Sequence, residues 1–192
     1  MRKSLSVLFA LVMVAPALAR NPEVEIKTSA GTVVAEIYSD KTPRTAANFL
    51  QYARDSFYNG MVFHRVIDGF MIQGGGFDRN LREKDTRAPI DNEAGEGARA
   101  GLKNSVGTLA MARTMSPHSA TAQFFINLAD NDALNFREPT PQGYGYAVFG
   151  RVIKGLDVVQ KIARVQTRTV GQHENVPVSP VVIESVKILV QK

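Results

Sequence analysis

The stretch that most narrows what this chain can fold into is residues 63–76, FHRVIDGFMIQGGG. Two apolar runs, 61–67 and 70–73, flank the turn-forming pair Asp68-Gly69 and read as the strands of a hairpin. Side chains alternate between the faces of a strand. Strict alternation places Val62, His64 and Val66 on one face and Phe63, Arg65 and Ile67 on the other. In the second run Met71 and Gln73 oppose Phe70 and Ile72. A guanidinium among large apolar side chains needs a route to water or a chemical use. The glycines 74–76 close the hairpin and point to a bend or a close approach. They make a poor phosphate cradle: no Lys-Ser/Thr follows, and no strand–helix–strand unit surrounds them.

The rest of the chain supplies more short strands. Residues 24–27 and 32–38 alternate around a Ser29-Ala30-Gly31 turn and form a first hairpin. Thr42 as cap and Pro43 at the first helical position start a helix. Its stripe of Ala46, Ala47, Phe49, Leu50 and Ala53 runs to about Asp55. Residues 78–103 are polar and glycine-containing, a long surface excursion with a short strand at 88–92. Strands follow at 106–112, 123–127, 146–152 and 181–190, with a short helix at 155–162 and irregular chain at 167–180. Phe124 and Phe125 face opposite ways, one into the core and one into a pocket; the sequence leaves open which. About eight short strands, two helices and no repeat favour a mostly β, closed antiparallel barrel over a doubly wound sheet.

The 192 residues suit one domain with a sizeable core. Residues 1–19 stand apart: Arg2-Lys3, an apolar run to Val14, then Ala17-Leu18-Ala19. That order is a secretory signal peptide, too short to span a membrane comfortably, with cleavage expected after Ala19. The expectation is a soluble domain over 20–192, exported to the periplasm, with no stable membrane insertion. Removing Arg2 and Lys3 lowers the formal charge from +5 to +3, and the remaining cations are scattered, so no nucleic-acid partner is supported. The absence of cysteine excludes disulfides, thiol nucleophiles and lipid attachment at a thiol.

Few catalytic constellations survive inspection. His64, His118 and His173 lack metal-ligand spacing, so no metal and no cofactor is expected. His64 reads as a scaffold histidine with its bonds satisfied. Ser119 lies beside His118, but nothing orients a triad. What remains is a cation, amides and apolar surface, a set suited to a reaction without proton transfer or covalent intermediate. Taken singly, Phe70, Met71, Phe125 and Leu134 read as core, and Gln73 and Gln123 divide between turn-bonding and ligand contact.

FHRVIDGFMIQGGG, LAMAR at 109–113, QFFIN at 123–127 and YAVFGRV at 146–152 together resemble the cyclophilin family of peptidyl-prolyl cis-trans isomerases. The resemblance runs from Val24 to Val190. With the signal peptide it is most similar to the periplasmic cyclophilins of Gram-negative bacteria. It implies an eight-stranded barrel capped by two helices, and a rotamase acting on X-Pro bonds of exported proteins during folding. It implies proline-containing peptides and unfolded exported proteins as partners; a closed barrel without free edges suggests a monomer. The alternative is a peptide-binding chaperone or assembly module with a weak or vestigial cleft; a purely structural barrel is a remoter one.

Carried over residue by residue, the resemblance makes Arg65 the catalytic arginine and Gln73 the amide on the substrate backbone. Phe70 and Met71 belong to the proline pocket, Phe125 to its floor and Leu134 to its apolar wall. Ala112 is the small residue where strand backbone meets the peptide, and Gln123 a second cleft amide. Arg113 stands where many members have Asn, and Tyr146 where bacterial members have Tyr. Ala133 departs from the pattern, since many members carry Trp there and bacterial ones often Phe. Cyclosporin, a family ligand, uses that Trp. Phe136 or Tyr144 is a candidate to fill the gap.

Overall fold

A computed structural model describes residues 20–190; the expected signal peptide lies outside the described residues. Eight strands form one antiparallel sheet: β1 (Glu23–Thr28), β2 (Gly31–Ile37), β3 (Met61–Ile67), β4 (Met71–Asp78), β5 (Thr108–Met111), β6 (Phe124–Asn127), β7 (Val148–Lys154) and, last in the chain, β10 (Ile183–Ile188). Their spatial order is β10-β1-β2-β7-β5-β6-β4-β3. The two outer strands meet: Val62 bridges Val182, and the Phe63 and Gly60 amides donate to the carbonyls of Val181 and Ile183, each at 2.9 Å. The sheet thus closes on itself as a barrel, which removes the exposed edges that invite aggregation.

Helices α1 (Pro43–Arg54) and α3 (Leu156–Ala163) turn their apolar stripes into the barrel core. Phe49 of α1 is the hub. Its ring lies 5.0–5.4 Å from those of Phe149, Tyr58 and Phe124, in tilted and edge-on arrangements that aromatic pairs prefer. The Thr42 side chain does not cap α1 as the sequence suggested; its hydroxyl donates to the Val148 carbonyl at 3.1 Å. The cap comes from Glu93, only 2% exposed. Its carboxylate accepts from the Arg44 and Thr45 amides at 3.1 and 2.7 Å and from the Thr45 hydroxyl at 2.7 Å. Orphan amides at a helix start demand acceptors, and a buried carboxylate there also meets the positive end of the dipole.

Four parts differ from the sequence reading. The long excursion contains a third helix, α2 (Ala94–Arg99), and its 88–92 segment is reduced to a single bridge, Ile90 to Ala120. Residues 167–180 hold a two-stranded hairpin, β8 (Thr167–Val170) and β9 (His173–Pro177). The glycines 74–76 do not close the central hairpin but lie within β4. A Cβ on Gly74 would come within 2.9 Å of the Phe63 ring; one on Gly76 would overlap the Gln123 side chain. The fourth difference lies in β3.

Register slips between Met61 and Phe63 and again between Phe63 and Arg65 break the alternation of β3. Phe63 and Val66 therefore both enter the core, while Arg65 and Ile67 lie on the outer side. Bulges of this kind re-aim a side chain. The guanidinium does not share a face with Phe63 after all.

Candidate active site

Strands β4, β5, β6 and β7 are apolar on both faces. Ile72, Leu109, Met111, Phe124, Ile126 and Phe149 point into the barrel. Met71, Ala110, Phe125 and Val148 point outward, forming a second apolar cluster with Ile67, Phe70, Leu102, Ala112, Leu134 and Tyr146. Of the two adjacent phenylalanines, Phe124 is core and Phe125 is the pocket residue. A cleft of about 130 Å³ opens on this outer cluster, lined by Arg65, Phe70, Met71, Gln73, Ala112, Arg113, Phe125, Leu134 and Tyr146. Every residue that the resemblance assigned to the cleft is there except Gln123, which lines the adjoining depression with Gln73, Ala112 and Arg113.

Sheet register explains the gathering. Arg65 pairs with Gln73, Gln73 with Phe125, and Phe125 with Ala110, so one row crosses four strands. Gln73 Nε2 donates to Gln123 Oε1 at 3.0 Å, which fixes the orientation of both amides. The Phe125 and Tyr146 rings meet edge to face at 5.6 Å. The Arg65 guanidinium makes no ion pair or hydrogen bond among the described residues, so its donors are available to a ligand.

Arg113 is fully engaged instead. Its Nε donates to the Gly145 carbonyl at 2.9 Å, and its terminal nitrogens donate to the carbonyls of Thr114 and Pro141 at 2.9 and 3.2 Å. Its guanidinium lies 4.7 Å from the Tyr146 ring centroid. It straps two loops together beside the cleft. Gly145 has φ +66°, and a Cβ there would strike the Leu134 carbonyl at 2.7 Å. Its carbonyl also accepts from Asn92 Nδ2 at 3.1 Å, which links the Tyr146 loop to the segment anchored by Glu93.

A set of buried asparagines behind the cleft escaped the sequence reading. Asn104 Nδ2 donates to the Leu134 carbonyl at 3.0 Å and to the Tyr146 carbonyl at 3.3 Å. Asn127 Nδ2 donates to Asn104 Oδ1 at 3.2 Å and to Thr108 Oγ1 at 2.9 Å. Asn131 Nδ2 donates to Asn127 Oδ1 and to the Phe70 carbonyl. Asn104 and Asn127 are 2% and 0% exposed, so these bonds are protected from competing water. The network holds three cleft walls, Phe70, Leu134 and Tyr146, by their backbones. Three asparagines, Asn104 ahead of β5, Asn127 at the end of β6 and Asn131 just after it, are the signal that could have pointed to it.

Other residues take different roles from those expected. Phe136 and Tyr144 do not fill the space beside Ala133; they pack edge to face on each other at 5.6 Å, and Tyr144 also contacts His118. Ala133 is exposed, in the short 3₁₀ helix Asp132–Leu134 at the cleft rim. His64 is 5% exposed but not satisfied, since its Nδ1 has no hydrogen-bond partner among the described residues. Burial, with smaller effects of His173 and Arg65, pushes it down to about 4. His118 and Ser119 do not face each other as a nucleophile pair: His118 Nδ1 accepts from the Asn92 amide, and the Ser119 hydroxyl donates to the Ser116 carbonyl. Among the described residues no three His, Asp or Glu side chains gather as a metal would require, and no helix is long and apolar enough to cross a membrane.

Comparison with known proteins agrees with this geometry. Residues 23–188 match the family model for cyclophilin type peptidyl-prolyl cis-trans isomerases. A peptidyl-prolyl cis-trans isomerase of Acinetobacter baylyi is 57% identical over 95% of this chain and 93% of its own. Peptidyl-prolyl cis-trans isomerase B of Escherichia coli is 54% identical over 86% of this chain and 98% of its own. Among solved structures, a Cryptosporidium parvum cyclophilin type isomerase superposes with a TM-score of 0.72 at 24% identity, covering 90% of this chain and 99% of that one. A second structure of that protein was determined in the presence of the dipeptide ala-pro. The barrel, the two capping helices and a sequence match spanning nearly all the described residues place this chain in the cyclophilin family, as a peptidyl-prolyl cis-trans isomerase.

Proposed function

We propose that the outer cleft is where this isomerase acts, and that its substrates are proline-containing segments of exported proteins during folding. The observation that carries the reading is the unengaged Arg65 guanidinium in one cleft with the apolar side chains of Phe70, Met71, Phe125 and Leu134. In this reading the proline ring rests on Phe125 between Met71, Leu134 and Phe70. Gln73, fixed by Gln123, and the backbone at Ala112 hold the peptide chain, and Arg113 and Tyr146 form the wall.

The chemistry follows from the peptide bond. Delocalisation of the nitrogen lone pair opposes rotation with a barrier of about 18–20 kcal/mol. Both isomers of an X-Pro bond are populated, so only the barrier needs lowering. In the twisted state the nitrogen becomes pyramidal and basic. The Arg65 fork then donates to it and to the neighbouring carbonyl, bonds that the planar substrate cannot fully accept. That is stronger binding of the transition state than of the ground state. No proton is transferred and no covalent bond is made.

Two experiments test the proposal. NMR exchange measurements on an Ala-Pro peptide compare wild type with Arg65→Ala; loss of catalysis in a folded variant supports the assignment, and undiminished exchange refutes it. The export setting rests on the order of residues 1–19. N-terminal sequencing of the secreted-fraction protein is expected to begin at Arg20, and an intact Met1 on that form overturns it.

A further inference from the structure

A second, larger cleft of about 190 Å³ is lined by residues of β3, the turn after β4 and the β8–β9 hairpin. It shares no residue with the catalytic cleft. Its apolar surface comes from Val62 on β3, Leu81 in the 78–82 turn, and Val176 and Val178 at the end of the hairpin. Val178 is 44% exposed, an apolar side chain left facing solvent. Arg79, in the turn after β4, and Arg168, on β8, also line the cleft. Neither guanidinium has an ion-pair or hydrogen-bond partner among the described residues. Asp78 senses the Arg79 charge, but its Oδ1 is already taken by the Asn80 and Arg82 amides at 2.8 and 3.0 Å.

The walls are built rather than loose. The Asp78 carboxylate closes the turn, and the Leu81 amide donates to the Asp78 carbonyl at 3.0 Å. Leu81 has φ +58°, a left-handed conformation that costs a branched side chain free energy. On the other wall the Val178 amide donates to the Gln166 carbonyl at 2.8 Å, which ties the hairpin end to its base. Two unspent cationic forks lining one apolar cleft select an anion attached to an apolar body.

We propose that this cleft is a second peptide site, taking a proline-free segment in which a large apolar residue is flanked by Asp or Glu. The apolar side chain rests on Val62, Leu81 and Val176, and the flanking carboxylates pair with Arg79 and Arg168. A basic segment is rejected by like charge. The occupant is polypeptide because the enzyme already handles polypeptide, and β3 runs beneath both clefts. A client long enough to hold both sites raises the effective concentration of its own prolyl bond at Arg65.

The test uses the peptide Ac-Glu-Leu-Phe-Glu-NH2, titrated into ¹⁵N-labelled protein. The amides of Arg79, Leu81 and Val176 are expected to shift, with those of Gln73 and Ala112 unmoved. Arg79→Ala/Arg168→Ala is expected to weaken binding by about tenfold or more, the loss of charge-assisted bonds, with Ala-Pro exchange unchanged. Both arginines are exposed, and dispersion of the NMR spectrum checks that the variant folds; Arg168→Gln alone repeats the test if the double variant does not. Shifts confined to the catalytic cleft, or equal binding of Ac-Lys-Leu-Phe-Lys-NH2, overturn the proposal. So does equal binding of sodium hexanoate, which would make this a small-anion site. Shifts of the same amides with protein concentration alone would assign the surface to a second copy and also overturn it.

Discussion

Asn131 donates from one nitrogen, Nδ2, both to the Phe70 carbonyl at 2.9 Å and to Asn127 Oδ1 at 2.7 Å. Through that amide a wall of the catalytic cleft is tied to the buried network that also holds Leu134 and Tyr146. Asn127→Ala strands Asn104 Oδ1 and removes the acceptor that orients Asn131. A buried polar group left without its partner costs about 1–3 kcal/mol. Urea unfolding is expected to show a loss of that size. With the proline ring seated as proposed, the walls contact it in ground and transition states alike, and KM for a prolyl peptide should rise more than kcat falls. A destabilised variant with unchanged KM would reduce the network to scaffold.

The missing aromatic at position 133 leads to a second expectation. Ala133 is exposed on the cleft rim, and neither Phe136 nor Tyr144 lines the cleft in its place. Large aromatics, Trp above all, are among the side chains that most often dominate binding. Cyclosporin should bind this protein weakly, and Ala133→Trp should tighten it by about tenfold or more. Titration calorimetry on the two proteins decides it. Tight binding by wild type would mean that another group supplies the contact.

The barrel and the cleft were largely legible in the sequence because they depend on period-two apolar runs and on motifs that sit on strands. What was not legible depended on partners distant in the chain. Nothing local announces that β3 slips register between Phe63 and Arg65; the slip follows from pairing with β4. Helix α2 contains Gly95 and Gly97, poor helix formers. A Cβ at either would meet the Phe136 ring or the Thr42 methyl at 3.4 Å, an ordinary contact, so packing does not explain these glycines. Strand β8 is mostly exposed and β9 buries only Val176 and Pro177 at its end, so neither carries an apolar alternation to read. Thr42 had the right identity for a cap, but Glu93, remote in the chain, took the position.

His64 gives the stability a pH dependence. Its pKa is about 4 in the folded protein against an ordinary 6.5. Between those values the unfolded chain binds a proton that the folded chain refuses, so stability is complete above about 6.5 and falls as pH drops toward 4. The full excursion is about 3 kcal/mol at 1.36 kcal/mol per unit. Urea midpoints measured from pH 7.5 down to pH 4.5 should fall more steeply for wild type than for His64→Gln. Parallel slopes would show that the buried imidazole accepts its proton without penalty.

The most informative variant is at Arg65. Register pairing sets this residue opposite Gln73 and two strands away from Phe125, with its guanidinium free of protein partners among the described residues. Arg65→Ala should lower kcat/KM by about 10²–10³, a few kcal/mol of transition-state stabilisation. Peptide affinity should hardly change, because the planar amide offers no lone pair to lose contact with. Arg65→Lys should recover little, since an ammonium cannot reproduce a planar fork that reaches nitrogen and carbonyl together. Phe125→Ala should behave otherwise: the ring contacts exist in both states, so binding and turnover should fall together. NMR exchange of an Ala-Pro peptide, with circular dichroism to confirm folding, separates the cases. If Arg65→Ala instead lost affinity and turnover in the same proportion as Phe125→Ala, Arg65 would be gripping the ground state, and the lone-pair mechanism would have to be abandoned.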